Sequence, residues 1–283
     1  MTFGPLVTTQ WLAEAWNDGD LTILDASWHM PAAQRNARDE YLGAHIPGAL
    51  FYDLDALSDR TTSLPHMLAP AEVFSAAIGA LGIGSSDRIV VYDTLGLFSA
   101  PRAWWTLRAM GHARVAVLDG GFPKWKNEGR PTEQGEVKRA PRTFDAAVHA
   151  ALVRDLAQIQ SNIAGAEAQL IDARSAARFE GREPEPRAGL RGGHIPGSRN
   201  VPFSRVVAPD GTLRPPRELA AIFKAAKVDL DRPVIATCGS GVTASVLALA
   251  LETIDKKAVP VYDGSWSEWG ARADTQINTG PAT

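Results

Sequence analysis

The sequence predicts an α/β fold that occurs twice in tandem, as two domains that each contain a mainly parallel sheet flanked by helices. Two observations support this prediction. Three short motifs recur in the same order about 145–150 residues further along the chain, a domain-sized interval rather than the short period of a solenoid. Within each half, short apolar runs alternate with stretches of helical periodicity, which is the pattern of strands and crossover helices.

The repeated motifs are short, but their order is the same in both halves. The motif pairs are LDAS (24–27) with IDAR (171–174), HIPG (45–48) with HIPG (194–197), and VLDGG (117–121) with VYDGS (261–265). The third motif is followed by Trp125 in the first half and by Trp269 in the second. Three colinear matches at nearly one interval indicate a duplicated domain.

The strand and helix signals also come in the same order in each half. Apolar runs at 89–92 (IVVY) and 234–237 (VIAT) follow turn residues and predict buried strands. The stretches 73–81 and 219–226, which precede these runs, carry apolar residues at helical spacing. A Pro-Pro pair just before the second stretch suits the first turn of a helix.

These elements divide the chain into a first domain at 1–130, a linker at 131–150 and a second domain at 151–283. The polar stretch 127–145 contains prolines and glycines and lacks an apolar period, so it marks the linker region. Because such a linker leaves two similar domains free to face each other, and domain interfaces are favoured places for binding sites, we expect a site between them.

Composition excludes several classes of function. The 29 Lys and Arg residues against 32 Asp and Glu residues leave a net charge of −3, which provides no general attraction to nucleic acid or to an anionic membrane. One cysteine and six scattered histidines predict neither a disulfide nor a metal site. There is no apolar run of about 18 residues and no secretory signal pattern. We therefore expect a cytoplasmic protein that needs no cofactor and has no nucleic-acid or membrane partner.

The single cysteine, Cys238, follows the predicted strand 234–237 and precedes a helix-forming stretch at 244–252. The loop between them consists of Gly239, Ser240, Gly241, Val242 and Thr243. Two glycines allow a tight turn that aims backbone N–H groups at one point, and the helix N-terminus favours an anion there. Free cysteines are often simply buried, but a structural cysteine has no need of Gly-x-Gly directly after it. The sequence thus predicts a reactive thiolate that forms a persulfide.

The corresponding place in the first half holds Asp93, followed by the bulkier residues 94–98 (TLGLF). An acidic, bulkier loop is not expected to hold an anion. We therefore predict that the first domain is catalytically inert and that only the second half reacts.

The ordered motifs resemble those of the rhodanese family of sulfurtransferases in its tandem-domain form. The resemblance runs from about residue 11 to residue 270 and includes LDASW (24–28), HIPGA (45–49), SAPR-x-WW (99–105), EPEPR (183–187), CGSGVT (238–243) and YDGSW-x-EW (262–269). It implies transfer of sulfur from 3-mercaptopyruvate through a Cys238 persulfide to a thiol or cyanide, with release of pyruvate. Since the chain has no second cysteine, the acceptor must come from outside, and the family suggests a thioredoxin-type dithiol.

The resemblance also implies that Arg178 and Arg187 bind the carboxylate of the donor, a task that suits the planar fork of arginine. From the residues alone, both arginines are equally typical of surface ion pairs with the neighbouring residues Glu180, Glu183 or Glu185.

A second implied group is Ser240, His66 and Asp55, in which a carboxylate orients an imidazole that polarises a hydroxyl. Asp53 is an alternative carboxylate, and His66 is alternatively a loop histidine that caps backbone groups. His45 and His194 occur in both halves, so we predict that they fix loops by hydrogen bonds rather than catalyse.

Three other functions fit the sequence less well. Thiosulfate is the near alternative as donor, but the related thiosulfate enzymes typically carry basic side chains in the loop, whereas Gly239, Ser240 and Gly241 are neutral. A phosphatase with a Cys-x5-Arg loop is rejected because Ala244 stands at the arginine position. A non-catalytic sulfur-relay or binding module is disfavoured because the cysteine, the arginines and the proposed triad are all present.

Overall fold

The structure is a computed structural model, and it describes residues 3–282, which form two compact units. The first unit comprises the residues up to Arg60, Leu68–His149 and Pro209–Leu213. The second comprises Thr61–Met67, Ala150–Ala208 and the residues from Arg214 onward. The domain boundaries predicted from the repeat were continuous in the chain. The compact units depart from them at the segments Thr61–Met67 and Pro209–Leu213, because a compact unit is defined by spatial contacts and not by chain order.

The first unit contains one parallel sheet of five strands. Its strands are β1 (Leu6–Val7), β2 (Leu21–Asp25), β3 (Leu50–Phe51), β4 (Arg88–Tyr92) and β5 (Val115–Leu118). Its helices are α1 (Thr9–Ala15), α2 (Ala37–Gly43), α3 (Ala71–Ala80), α4 (Ala100–Ala109) and α5 (Gly121–Asn127). The strand order is β1-β5-β4-β2-β3, and every pairing is parallel.

The second unit repeats this plan. Its strands are β6 (Val153–Arg154), β7 (Gln169–Asp172), β8 (Arg199–Asn200), β9 (Val234–Thr237) and β10 (Val261–Tyr262). Its helices are α6 (Leu156–Gly165), α7 (Ala176–Phe179), α8 (Phe203–Val206), α9 (Pro216–Ala225), α10 (Val242–Glu252) and α11 (Ser265–Trp269). The strand order β6-β10-β9-β7-β8 is the same as in the first unit, with parallel pairing throughout. The predicted duplicated α/β fold is confirmed.

The central elements are buried on all sides, as expected for a parallel sheet covered on both faces. All five residues of β2 are buried, as are all four of β9. Helix α10 is buried at nearly every position up to Leu251, which matches a sequence that is apolar around the whole helix. Rigid packing of β9 and α10 fixes the two ends of the short loop between them.

The repeated histidines have structural contacts of the kind expected. His45 Nδ1 lies 2.8 Å from the carbonyl oxygen of Tyr41, and His194 Nδ1 lies 2.9 Å from that of Phe179. The backbone of His194 also pairs with that of Asn278. Both histidines are buried, so these bonds hold the loops after α2 and α7 in place.

The segment predicted as a linker follows the surface of the first unit as far as His149. The backbone of Glu133 pairs with that of His45, and Arg142 Nη1 donates to both carboxylate oxygens of Asp87, at 2.7 and 2.8 Å. Phe144 is buried among the residues of this unit. Within the described range, no helix combines the length and the apolar character needed to cross a membrane.

Candidate active site

Cys238 lies at the carboxyl end of β9 and is only 1% exposed. Gly241 takes a positive φ of 78° directly before α10, a conformation that glycine adopts without strain. The first amides of a helix have no intrahelical acceptor and carry the positive end of its dipole. The loop after Cys238 therefore leads directly into a helix N-terminus, and the approach of its amides to the sulfur stays a prediction.

The start of α11 holds the cysteine loop from the other side. The amide of Trp266 donates to the carbonyl oxygen of Cys238 at 3.0 Å, and the amide and hydroxyl of Ser267 both donate to that of Gly239, at 2.9 and 2.7 Å. Ser265 Oγ accepts from the amide of Cys238 at 3.3 Å and donates to the carbonyl oxygen of Tyr262 at 2.8 Å. These bonds fix the backbone that carries the sulfur.

Ser265 has a left-handed backbone, with a φ of 50°. The matching residue of the first unit, Gly121, has a φ of 54°. A serine in this region is strained where a glycine is not. No role was predicted for Ser265 from the sequence, although the change from Gly121 to Ser265 between the repeats is a visible signal of one.

His66 and Ser240, which are 174 residues apart in the chain, lie together in the second unit. His66 Nδ1 is 3.0 Å from Ser240 Oγ, within hydrogen-bond range, and both side chains are buried. The direction of the bond depends on the imidazole tautomer. The structure thus brings together two members of the predicted Ser–His–Asp set.

Asp55 and Asp53 belong to the first unit. Asp55 Oδ2 accepts a hydrogen bond from Trp28 Nε1 at 2.9 Å. Asp53 Oδ1 accepts from the amide of Ala56 at 3.0 Å, which makes it the cap of a turn. A carboxylate that orients an imidazole is the role predicted for Asp55, and it stays a prediction.

The two predicted substrate-binding arginines lie over the cysteine loop. A Cβ atom placed on Gly239 would be 3.1 Å from Nη2 of Arg178 and 4.0 Å from Nη1 of Arg187. The residue that follows the reactive sulfur is thus covered by two guanidinium groups. Binding of the donor's carboxylate by these two arginines stays a prediction.

Arg178 also forms an ion pair with Glu185, which is the alternative role predicted for it from the sequence. Its Nη2 donates to Glu185 Oε2, and Glu185 in turn accepts from the buried Arg174 at 2.7 Å. Pairing with Glu185 and proximity to Gly239 are therefore compatible. No role was predicted for Arg174 from the sequence, and Glu185 was predicted only as a surface partner of an arginine. The change from Ser27 to Arg174 between the repeats was the signal that could have identified Arg174.

The matching loop of the first unit corrects one expectation. This loop was expected to be unable to hold an anion, but it holds one, the carboxylate of Asp93. Four backbone amides of the loop donate to it. The amide of Leu95 donates to Oδ1 at 2.8 Å, and those of Phe98, Ser99 and Ala100 donate to Oδ2 at 2.8, 2.9 and 2.8 Å. The amide cradle is thus filled by a side chain of its own loop.

A pair of parallel α/β units, of which one carries a cysteine at the carboxyl end of a central strand and the other an aspartate, defines a tandem rhodanese-type protein. The model of the rhodanese-like domain matches residues 8–128 and again residues 155–272. The chain belongs to the rhodanese family. Among the part of the chain that the structure describes, no group of three or more His, Cys, Asp or Glu residues is placed to hold a metal ion.

Several characterised relatives are similar over nearly the whole chain. The 3-mercaptopyruvate sulfurtransferase of Escherichia coli K12 is 46% identical, and the match covers 96% of both chains. The human 3-mercaptopyruvate sulfurtransferase is 44% identical over 95% of this chain and 92% of its own. The thiosulfate sulfurtransferase of Rattus norvegicus is 45% identical over 97% and 95%. The crystal structure of the E. coli 3-mercaptopyruvate sulfotransferase SseA superposes with a TM-score of 0.86 at 44% identity, covering 93% of this chain and 99% of that one.

Proposed function

We propose that this protein is a 3-mercaptopyruvate sulfurtransferase that carries sulfur as a persulfide on Cys238. The observation that carries the proposal is the position of Arg178 and Arg187 over Gly239, next to the only cysteine. The relatives named as 3-mercaptopyruvate sulfurtransferases, at 44–46% identity over nearly full length, support the same reaction.

In the first half-reaction, the Cys238 thiolate attacks the sulfur of 3-mercaptopyruvate. A sulfur–sulfur bond forms, the carbon–sulfur bond breaks, and its electron pair leaves with the carbon as the enolate of pyruvate. The proton of the donor thiol is then transferred to the enolate carbon. The products are pyruvate and the Cys238 persulfide.

The two arginines bind the donor's carboxylate and align its sulfur with that of Cys238, which lowers the entropic barrier to attack. Ser240 and His66 form a hydrogen-bonded pair that suits transfer of the proton between sulfur and enolate. We propose Asp55 as the carboxylate that orients His66, which is the role the family resemblance implies.

The persulfide anion is stabilised by the amides of the loop, including those of Val242 and Thr243 at the start of α10. The first unit provides an internal comparison, because the Asp93 carboxylate accepts amide hydrogen bonds from the equivalent loop. A loop of this shape suits a small anion on the residue at its first position.

In the second half-reaction, a thiolate of the acceptor attacks the outer sulfur and releases the Cys238 thiolate. The acceptor is an external thiol, and a thioredoxin-type dithiol fits because it can release the sulfur by forming its own disulfide. A cytoplasmic location, expected from the sequence, is part of the same proposal and is checked by fractionation of cells that express the protein.

Thiosulfate is the second candidate donor, because a thiosulfate sulfurtransferase is as similar to this chain as the mercaptopyruvate enzymes are. The neutral loop residues Gly239 and Ser240 favour mercaptopyruvate. Pyruvate release from 3-mercaptopyruvate, measured beside sulfur transfer from thiosulfate to cyanide, separates the two. Preference for thiosulfate would overturn the choice of donor, and turnover of neither would leave a sulfur-relay or binding module.

Replacing the nucleophile tests the persulfide itself. Cys238→Ser is expected to abolish pyruvate release and the mass gain of one sulfur, because an alcohol does not form the persulfide, while thermal unfolding stays close to wild type. Turnover near the wild-type rate in this variant would contradict the assignment of Cys238.

A further inference from the structure

A chain of alternating charges lies behind the donor-binding arginine. Asp172 accepts from Nε of Arg174 at 3.1 and 3.0 Å and from its Nη2 at 2.6 Å. Arg174 Nη1 donates to Glu185 Oε1 at 2.7 Å. Glu185 then accepts from Arg178, whose Nη2 reaches Oε2 and whose Nε lies 3.4 Å from Oε1.

The inner members of this chain are out of contact with water. The side chains of Asp172, Arg174 and Glu185 are each 1% exposed, whereas that of Arg178 is 23% exposed. A buried carboxylate is costly unless it is paired and hydrogen-bonded, and Glu185 meets that condition by using both oxygens on two arginines. Burial and pairing leave Glu185 little freedom to move.

Glu185 constrains the orientation of Arg178 as well as its charge. It takes the edge of the guanidinium formed by Nε and Nη2. The plane of the guanidinium is thereby fixed, and the edge that includes Nη1 is turned away from Glu185. Nη2 lies 3.1 Å from the Cβ position of Gly239, so the fixed group is held beside the cysteine loop.

Among the described residues, the matching turn of the first unit lacks the arginine at the centre of this charge chain. The residue that matches Arg174 in the first unit is Ser27, whose amide makes the same turn with Asp25 but whose side chain is a neutral hydroxyl. Arg174 also lies over the ring of Trp266 at 4.3 Å, and the amide of Trp266 holds the carbonyl oxygen of Cys238. The chain thus links the donor-binding and sulfur-bearing parts of the second unit.

We propose that Glu185 is a positioning residue for the sulfur donor, which holds Arg178 in the orientation that receives the donor's carboxylate. This inference rests on the proposed function and adds a specificity determinant to it. Glu185 does not contact the substrate and acts through Arg178. Its loss therefore affects binding and alignment of the donor more than the later transfer of sulfur to the acceptor.

The test compares Glu185→Gln with Glu183→Gln, an exposed carboxylate two residues earlier in the same motif. For Glu185→Gln, the KM for 3-mercaptopyruvate is expected to rise about tenfold with a much smaller change in kcat, because the interaction lost is one of donor binding. Attack of a neutral thiol, 2-mercaptoethanol, on the preformed persulfide is expected to keep its wild-type rate. Glu183→Gln is expected to match wild type in all three readouts.

A double-mutant cycle separates positioning from a general structural role. In an Arg178→Ala background, Glu185→Gln is expected to raise the KM no further, because the residue through which it acts is gone. Glu185→Asp keeps the charge and is expected to recover part of the affinity for the donor. This variant replaces Glu185→Gln in the test if the glutamine variant does not fold.

Three results overturn the inference. They are an unchanged KM in Glu185→Gln, additive effects of the two substitutions, and equal slowing of both half-reactions. If the wild-type protein does not release pyruvate from 3-mercaptopyruvate, the proposed function fails and this inference fails with it. If the wild-type protein does release pyruvate but one of the three results is found, only the inference about Glu185 is overturned.

Discussion

At the scale of single residues, the corresponding loops of the two units begin with different side chains. Asp93 places its carboxyl group among four amides of its loop. Cys238 stands at the same position with a smaller side chain, and in the proposed reaction it acquires its charged outer atom only when the persulfide forms. The prediction that the first unit is inert rests on this aspartate at the cysteine position, whose carboxylate occupies the amides of the loop.

The strained residue beside the cysteine provides a prediction at this scale. Ser265→Ala and Ser265→Gly both remove the hydroxyl that accepts from the Cys238 amide, so we expect a similar loss of kcat, of about tenfold, in both. Only the glycine also relieves the positive φ, and it should be the more stable of the two by about 1 kcal/mol. Denaturant unfolding and steady-state kinetics check the two parts, and an alanine variant more stable than the glycine variant would refute the strain argument.

At the scale of elements, the ends of β2 and β7 carry the same aspartate in different surroundings. Asp25 and Asp172 each accept a hydrogen bond from the amide two residues later, at 2.9 Å. Asp172 is paired with Arg174, whereas burial raises the pKa of Asp25 from 3.8 to about 6, although hydrogen bonds from Ser27 and Tyr92 partly oppose this. The negative charge of Asp172 is thus balanced by Arg174, whereas burial makes the charged form of Asp25 unfavourable.

The pH dependence follows from the raised pKa of Asp25. Because the folded state holds its proton more tightly than the unfolded state, Asp25 contributes stability below about pH 4, and this contribution is lost as the pH rises through about 6. Asp25→Asn should therefore raise the free energy of unfolding at pH 7, by up to about 3 kcal/mol, and flatten its pH dependence between about pH 4 and 6.

Asp172→Asn is the matched comparison. It should lower the stability at pH 7, because Arg174 loses the charge of a bidentate partner in a buried site. Denaturant unfolding at several pH values checks both variants. Equal destabilisation by the two substitutions would show that the pairing with Arg174 makes no difference.

At the scale of the whole molecule, each compact unit contains a short segment from the other half of the chain. Thr61–Met67 groups with the second unit and carries His66, while Pro209–Leu213 groups with the first. Gly96 of the first unit comes so close to Gly211 that a Cβ on Gly96 would lie 2.8 Å from its Cα. The catalytic machinery proposed for Cys238 therefore depends on a residue far away in the sequence.

His66 itself has a left-handed backbone, with a φ of 62°, so its replacement has to respect the conformation. Asparagine tolerates this region well, and His66→Asn therefore removes the imidazole with little added strain. We expect kcat for 3-mercaptopyruvate to fall about 100-fold or more, as loss of a general acid–base group does, with a thermal midpoint close to that of wild type. Undiminished kcat in the folded variant would argue against proton transfer through His66.

The local part of the site was predictable from the sequence because it depends on near neighbours. Cys238, the glycines after it and the start of α10 follow one another directly, so strand, turn and helix propensities suffice to place them. The duplicated α/β fold was predictable for a similar reason, since the repeated motifs can be read directly from the sequence. The arginines and His66 came from resemblance to the family and not from spacing.

The tertiary structure alone decided which distant residues meet and which charges are buried. The contact of His66 with Ser240, the sharing of Glu185 between Arg174 and Arg178, and the filling of the first loop by Asp93 all depend on atomic positions. A sequence determines residue types and local geometry, but the cost or benefit of a charge depends on the solvent it loses and the partner it gains, and both are set only when the chain has packed.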